Sequence, residues 1–110
     1  MSDEQPTLEI TEIRDGVRVR VRLRGELDLA TAPRLSEALR TLHDRREPIL
    51  IDLDELSFID MSGLRVVMTA AARASREGGA LSVTPGSPQV RRLLALVPLD
   101  ANLPLDGSSR

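Results

Sequence analysis

The chain of 110 residues contains no cysteine, no lysine, no tryptophan and no tyrosine, and its single histidine is His43. Without cysteine, the chain can form no disulfide framework, thiolate nucleophile or thiolate metal site. One histidine leaves the usual histidine-rich zinc and two-metal sites without enough ligands. Because all 15 cationic residues are arginine, P-loop lysine chemistry and Schiff-base catalysis are excluded. We therefore expect a protein that is not an enzyme and that uses no cofactor and no metal.

Aromatic residues are almost absent as well, since Phe58 is the only one. The aromatic side chains on which the bases of single-stranded nucleic acid stack are therefore missing. The net charge of −2 also argues against a protein that binds the phosphate backbone of nucleic acid. The first residues lack the basic start and apolar core of a signal peptide, and no apolar run approaches the roughly 18 to 20 residues of a membrane span. We expect a cytoplasmic protein with no direct nucleic-acid binding, no membrane insertion and no small-molecule substrate.

The composition is that of a folded domain, with 41% hydrophobic and 29% charged residues. The length suits one domain. We expect a flexible N-terminus over residues 1–6, a single domain over residues 7–105 and a flexible tail over residues 106–110.

Alternating residues predict an N-terminal hairpin. Leu8, Ile10 and Ile13 indicate a first strand, and residues 17–24 alternate valine or leucine with arginine, as in a strand with one buried face. Asp15-Gly16 is a hairpin signal. The two faces match better, however, if residues 14 and 15 form the turn, so that Ile10 pairs with Val19. A bulge at Gly16 would reconcile the two interpretations, and the sequence leaves the register open.

Helices and strands alternate after the hairpin. A stripe of apolar residues at helical spacing predicts a first helix, with Thr31 as its N-cap; the stripe consists of Ala32, Leu35, Ala38, Leu39 and Leu42. Residues 49–53 read as a buried central strand, and a second helix runs from about Met61 to Glu77. Its apolar side comprises Leu64, Val67, Met68, Ala71, Ala74 and Ser75. Residues 80–84 predict a strand, Ser87-Pro88 opens a third helix, and residues 103–105 suggest an edge strand. The order β-β-α-β-α-β-α predicts an α/β fold, a mixed, mostly parallel sheet of four or five strands with helices packed on it.

The segment from Leu56 to Leu64 is the most informative for function. It leads from a buried strand through a short loop to a helix start, the end of a strand at which α/β proteins meet ligands and partners. Asp60 can cap this helix, and a phosphate on a serine in the first turn would be stabilised by the helix dipole. A cap followed by a close-packing glycine, with no role in phosphorylation, is the simpler interpretation of the same residues.

Several motifs in order resemble the STAS domain of bacterial anti-sigma factor antagonists. The resemblance covers roughly residues 7 to 105 and rests on residues 25–28, Thr31-Ala32, 51–53, 56–64, 90–94 and 97–99. It implies a STAS-like domain that binds a serine-kinase type of anti-sigma factor and so releases a sigma factor. The kinase can phosphorylate family members at the start of the second helix, which ends the binding. The positions that the resemblance and the helix start mark for partner binding are Glu26, Asp28, Thr31, Asp60, Met61, Ser62, Gly63 and Arg65.

One position departs from the family pattern of Asp-Ser-Ser/Thr-Gly. The phosphoacceptor of the pattern is the residue after the aspartate, which is Met61 in this chain. The outcomes to consider are no phosphorylation, a relocated acceptor at Ser62, or a partner that is not a kinase. We favour the first, because Ser62 lies one helical step, about 100°, away.

The same sequence allows three further interpretations. Arg18, Arg20, Arg22 and Arg24 could form a nucleic-acid face, but a solvated strand face paired with acids fits the negative net charge better. A triad of His43, Ser62 and Asp60 lacks a nucleophile elbow. The alternative function is that of a freestanding STAS subunit that supports the ATPase of a lipid-transport assembly.

Overall fold

Four strands and three helices follow one another in the computed structural model of the protein, which describes residues 8–96. They are β1 (Leu8–Asp15), β2 (Arg18–Leu27), α1 (Ala32–Asp44), β3 (Ile49–Ile59), α2 (Met61–Glu77), β4 (Leu81–Val83) and α3 (Pro88–Leu94). This order confirms the prediction. The terminal segments 1–6 and 106–110 and the candidate edge strand 103–105 lie outside the described residues.

The described strands form one mixed sheet in the order β1-β2-β3-β4. β1 is antiparallel to β2, and the pairs β2–β3 and β3–β4 are parallel. Each parallel pair is joined by a helix, α1 or α2, as parallel neighbours require. Because parallel strands point the same way, the C-terminal ends of β2 and β3 lie side by side at one edge of the fold.

The hairpin register, which the sequence left open, follows neither of the two turns considered from the sequence. Ile10 pairs with Leu23 and not with Val19, and β1 continues to Asp15, which pairs with Arg18. The turn consists of the two residues Gly16 and Val17. Gly16 has a φ of +68°, the left-handed backbone that type II′ turns place at their first central position. The turn geometry therefore decided the register, and no bulge at Gly16 was needed.

Strand β3 is longer than predicted. It does not end at Leu53 but continues to Ile59, so residues 56–59 are a strand and not the predicted loop. Leu56, Phe58 and Ile59 continue the pairing with β2, and one register shift interrupts the ladder before Leu56 and another after it. These irregularities let the strand continue although residues 54–58 do not alternate cleanly.

The core lies between the sheet and the helices. Val21, Ile51 and Val83 are fully buried on three neighbouring strands and belong to one cluster with buried residues of α1, α2 and α3. The helix stripes were predicted correctly except at three positions: Ala38 and Met68 are half-buried and Ser75 is exposed. These residues lie at the edge of their stripe, where a turn of the helix brings the side chain toward water. Among residues 8–96, no helix is long and apolar enough to cross a membrane.

Candidate functional site: the junction of β2, β3 and two helix starts

The junction forms where β2 and β3 end beside each other. Glu26 pairs with Phe58 and Leu27 with Ile59 in the last positions of the parallel ladder. The Asp60 amide then donates to the Leu27 carbonyl at 3.2 Å, which extends the contact one residue beyond the strands. The loop that leads to α1 and the start of α2 are therefore neighbours.

Helix α2 is anchored to β2 by its cap and its glycine. Asp60 has extended backbone at the N-cap, and its Oδ1 accepts from the Gly63 amide at 3.0 Å. A Cβ on Gly63 would lie 2.6 Å from Leu27 Cγ and 2.7 Å from the Leu27 carbonyl oxygen. Only glycine permits this approach of the helix to the strand end. The predicted cap and close-packing glycine are confirmed.

The loop before α1 is held by Asp28 and Thr31. Asp28 Oδ1 accepts from the amides of Ala30 and Thr31 at 3.0 and 3.1 Å. The buried Thr31 hydroxyl donates to the Glu26 carbonyl at 2.8 Å and accepts from the Asp28 amide at 3.0 Å. Thr31 occupies the N-cap position of α1, but its side chain makes no capping hydrogen bond, because the hydroxyl is used in this loop. The loop is therefore fixed by hydrogen bonds within the chain itself.

Three large apolar side chains are exposed around these anchors. Leu29 is 75% exposed, and Phe58 and Met61 are each 47% exposed. We call Glu26, Asp28, Leu29, Phe58, Met61 and Arg65 the junction surface. Sequence reasoning pointed to Met61 but missed Leu29 and Phe58 as surface residues. The signal for Phe58 was its position as the only aromatic residue, three residues before the first residue of α2.

The predicted partner-binding residues divide into exposed and internal groups. Glu26, Met61 and Arg65 are exposed. Asp28, Asp60 and Ser62 are half-buried, while Thr31 and Gly63 are buried. The two buried residues hold the shape of the loops, through the hydroxyl of Thr31 and the close approach of Gly63 to Leu27. The structure thus brings all eight residues into one region of the fold, some at its surface and others inside it.

Ser62 and Met61 differ in their surroundings although they are adjacent. Ser62 lines a groove between α1 and α2 together with Ser36 and Arg65. Met61 does not line this groove and is open to water. The rotation of about 100° between successive helix residues separates the two side chains.

The arginines of β2 are paired with acids, as predicted for a solvated strand face. Arg20 Nη1 lies 2.8 Å from Asp52 Oδ2, and this hydrogen bond raises the pKa of Arg20. Arg24 Nε lies 3.1 Å from Glu55 Oε1, and Arg22 lies within 4.0 Å of the same carboxylate. The face is thereby close to neutral, which does not suit phosphate binding.

His43 belongs to the packing of the two helices. Its Nε2 lies 2.6 Å from Glu77 Oε1, and this hydrogen bond lowers the pKa of Glu77. The Asp60 carboxylate caps α2, and within residues 8–96 no hydrogen bond joins His43 to Ser62. The triad interpretation therefore receives no support.

Comparisons with known proteins identify relatives for almost the whole chain. The family described as "Mlab, STAS domain" matches residues 10–105. The anti-sigma F factor antagonist of Paenibacillus polymyxa is 34% identical over 87 residues, which are 77% of this chain and 74% of that protein. The anti-sigma-B factor antagonist of Bacillus subtilis is 30% identical over 81 residues, 74% of each chain.

Solved structures support the same relationship. The crystal structure of an anti-sigma factor antagonist from Mycobacterium paratuberculosis matches with a TM-score of 0.80 and 26% identity, covering 90% of this chain and 85% of that one. The unphosphorylated form of the anti-sigma factor antagonist SpoIIAA matches with a TM-score of 0.67 over 79% of this chain and 78% of that one; at 23% identity it supports the fold alone. Fold and sequence agree, and the chain belongs to the STAS domain family.

Proposed function

We propose that this chain is an anti-sigma factor antagonist, a binding module without catalytic activity that captures an anti-sigma factor of the serine-kinase type and thereby frees a sigma factor. The observation that carries the proposal is the exposure of Leu29, Phe58 and Met61 around the ends of β2 and β3. Clustered exposed apolar side chains rimmed by charge are typical of protein-binding surfaces. The names of the relatives given above supply the class of partner.

The anchoring of the junction surface favours tight capture. Asp28, Thr31 and Asp60 fix both loops through hydrogen bonds of 2.8–3.1 Å within the chain. A loop that is already ordered loses little conformational entropy when a partner binds. The apolar side chains can then be buried against the partner, while the exposed Glu26 and Arg65 contribute charges at the rim.

We further propose that phosphorylation does not end this capture. Met61 occupies the position of the family's acceptor and has no hydroxyl group. The neighbouring hydroxyl of Ser62 lines the groove between α1 and α2, away from the exposed side of the helix start. The amount of this protein, and not a phosphate on it, would then set how much anti-sigma factor is captured.

A binding titration with matched variants tests the function. The partner is a purified anti-sigma factor of the serine-kinase type from the same genome, and the variants are Leu29→Glu on the junction surface and Val17→Glu on the hairpin turn. Val17 is 81% exposed and lies at the opposite end of β2, about 30 Å away. Burial of an unpaired charge should weaken capture by Leu29→Glu by about thirtyfold or more. Val17→Glu should bind like the unaltered protein, and equal binding by both variants would exclude the junction surface.

The alternative is a STAS subunit of a lipid-transport assembly, and it predicts a different partner. In that case the protein would bind the transporter's ATPase subunit and fail to bind the anti-sigma factor in the same titration. The curated relatives, which are named as antagonists, favour the first function.

A further inference from the structure

A groove of about 230 Å³ lies between α1 and α2, beside the junction surface. Leu39, Val66 and Leu81 supply apolar lining, and all three belong to or pack against the hydrophobic core. Arg40 from α1 and Arg65 and Arg73 from α2 line the same groove. It therefore combines an apolar surface with guanidinium groups from two facing helices.

The three groove arginines make none of the close ion pairs that the arginines of β2 make. Within the described part of the chain, no carboxylate lies within 4.0 Å of Arg40, Arg65 or Arg73, and no aspartate or glutamate lines the groove. Arg73 acts on Glu77 only at longer range, and Glu77 lies outside the groove, hydrogen-bonded to His43. Arg65 and Arg73 are two helical turns apart, about 12 Å along α2, and Arg40 faces them from α1. The positive charges of the three guanidinium groups repel one another across the groove. An anion bound between them would be attracted by all three groups and would reduce this repulsion.

The size of the groove restricts what can bind. A volume of 230 Å³ is that of roughly eight water-sized groups, and it is smaller than the range of about 300–1,000 Å³ usual for ligand pockets. A ligand of about ten non-hydrogen atoms would fill it, whereas a nucleotide is much larger. The apolar lining and the three arginines together favour a ligand with a short apolar chain and an anionic group at one end.

We propose that this groove binds a short amphipathic carboxylate, such as a medium-chain fatty acid anion. The acyl chain would lie on Leu39, Val66 and Leu81, and the carboxylate would receive two parallel N–H···O bonds from one guanidinium, the geometry that arginine favours. The site does not depend on the proposed function, although Ser62 and Arg65 connect it to the junction surface.

A titration of ¹⁵N-labelled protein, followed by amide chemical shifts, tests the proposal. The probes are octanoate, 1-octanol, which has the chain without the charge, and acetate, which has the charge without the chain. Octanoate should shift amides along the groove, such as those of Leu39 and Thr69, and saturate with a Kd of about 0.1–1 mM. 1-Octanol and acetate should each bind at least tenfold more weakly, because each lacks one of the two contacts.

Variants on both helices complete the test. Arg73→Gln and Arg40→Gln should each weaken octanoate binding about fivefold or more, while Arg76→Gln, an exposed position of α2 outside the groove, should leave it unchanged. The proposal is overturned if about 5 mM octanoate leaves the groove amides unshifted. It also fails if 1-octanol binds as well as octanoate, or if the Arg73 and Arg40 variants bind like the unaltered protein. Capture of the anti-sigma factor is measured separately, so either result can fail without the other.

Discussion

Gly63 lies against Leu27 so closely that a Cβ on residue 63 would be 2.6 Å from the leucine Cγ and 2.7 Å from its carbonyl oxygen. This contact joins the first turn of α2 to the last residue of β2. The exposed residues on both sides of it, Leu29 and Met61, owe their relative position to this approach. The packing of one glycine therefore determines the shape of the junction surface.

Substitution of this glycine should destabilise the protein. The methyl group of Gly63→Ala would overlap both side chain and backbone of Leu27, and we expect a loss of about 1–3 kcal/mol in the free energy of unfolding. Gly79→Ala is the matched control, since its Cβ would lie 3.6 Å from the nearest atoms of Ala74, an ordinary contact. Urea unfolding of both variants measures the difference. Equal stability of the two variants would contradict the close-packing argument.

Removal of the Thr31 hydroxyl should also destabilise the fold. In Thr31→Val the shape is kept, but the Asp28 amide and the Glu26 carbonyl lose their hydrogen bonds to the buried hydroxyl. Two such hydrogen bonds together contribute about 1–3 kcal/mol, and their loss should appear as a lower urea midpoint with an unchanged slope. Thr41→Val provides the control, because Thr41 is exposed on α1 and should change stability by about 0.5 kcal/mol or less. A Thr31 variant as stable as the Thr41 variant would show that the loop does not depend on this hydroxyl.

Local signals made the helices predictable from the sequence. α2 begins at Met61 and ends at Glu77 as predicted, because Asp60 supplies a cap and Gly78 can adopt the left-handed backbone that ends a helix. The hairpin register was not predictable in the same way. Pairing Ile10 with Val19 or with Leu23 satisfies the alternation equally, and the choice depends on the conformation of the turn at Gly16.

The sequence predicted the part of the candidate site that depends on local contacts. Asp28 and Asp60 accept hydrogen bonds from amides two or three residues away, and Gly63 belongs to the motif that marks the start of α2. The exposure of Leu29 and Phe58 depends on how β3 extends to Ile59 beside β2, which is a long-range pairing that no local pattern encodes. The groove arginines likewise become a cluster only when α1 packs against α2.

The hydrogen bond between Glu77 and His43 predicts an effect of pH on stability. The bond lowers the pKa of Glu77 in the folded protein, so its stabilising contribution is present above the unfolded pKa of about 4.3 and is lost as the pH falls through the folded value. The unaltered protein should therefore lose stability more steeply than Glu77→Gln in urea unfolding below about pH 4.5. Glu37→Gln, an exposed glutamate of α1, should follow the unaltered protein. Identical pH curves for all three proteins would show that the contact does not contribute.

The replacement of Met61 by serine tests the proposed lack of phosphorylation. Incubated with the kinase-type anti-sigma factor and ATP, the unaltered protein should keep its mass, and its complex should be as stable in ATP as in ADP. Met61→Ser rebuilds the sequence Asp-Ser-Ser-Gly at the start of α2, where the free amides and the helix dipole stabilise a phosphate. This variant should gain the mass of one phosphate and dissociate from the partner in ATP.

Two further variants make this experiment decisive. Met61→Ala removes the same apolar contact without adding a hydroxyl, so it should weaken capture equally in ATP and ADP and gain no phosphate. Any release that Met61→Ser shows beyond this level in ATP is then due to the phosphate and not to the lost side chain. A phosphate on the unaltered protein that disappears in Ser62→Ala would contradict the prediction. It would place the acceptor in the groove between α1 and α2, one residue beyond the family's position.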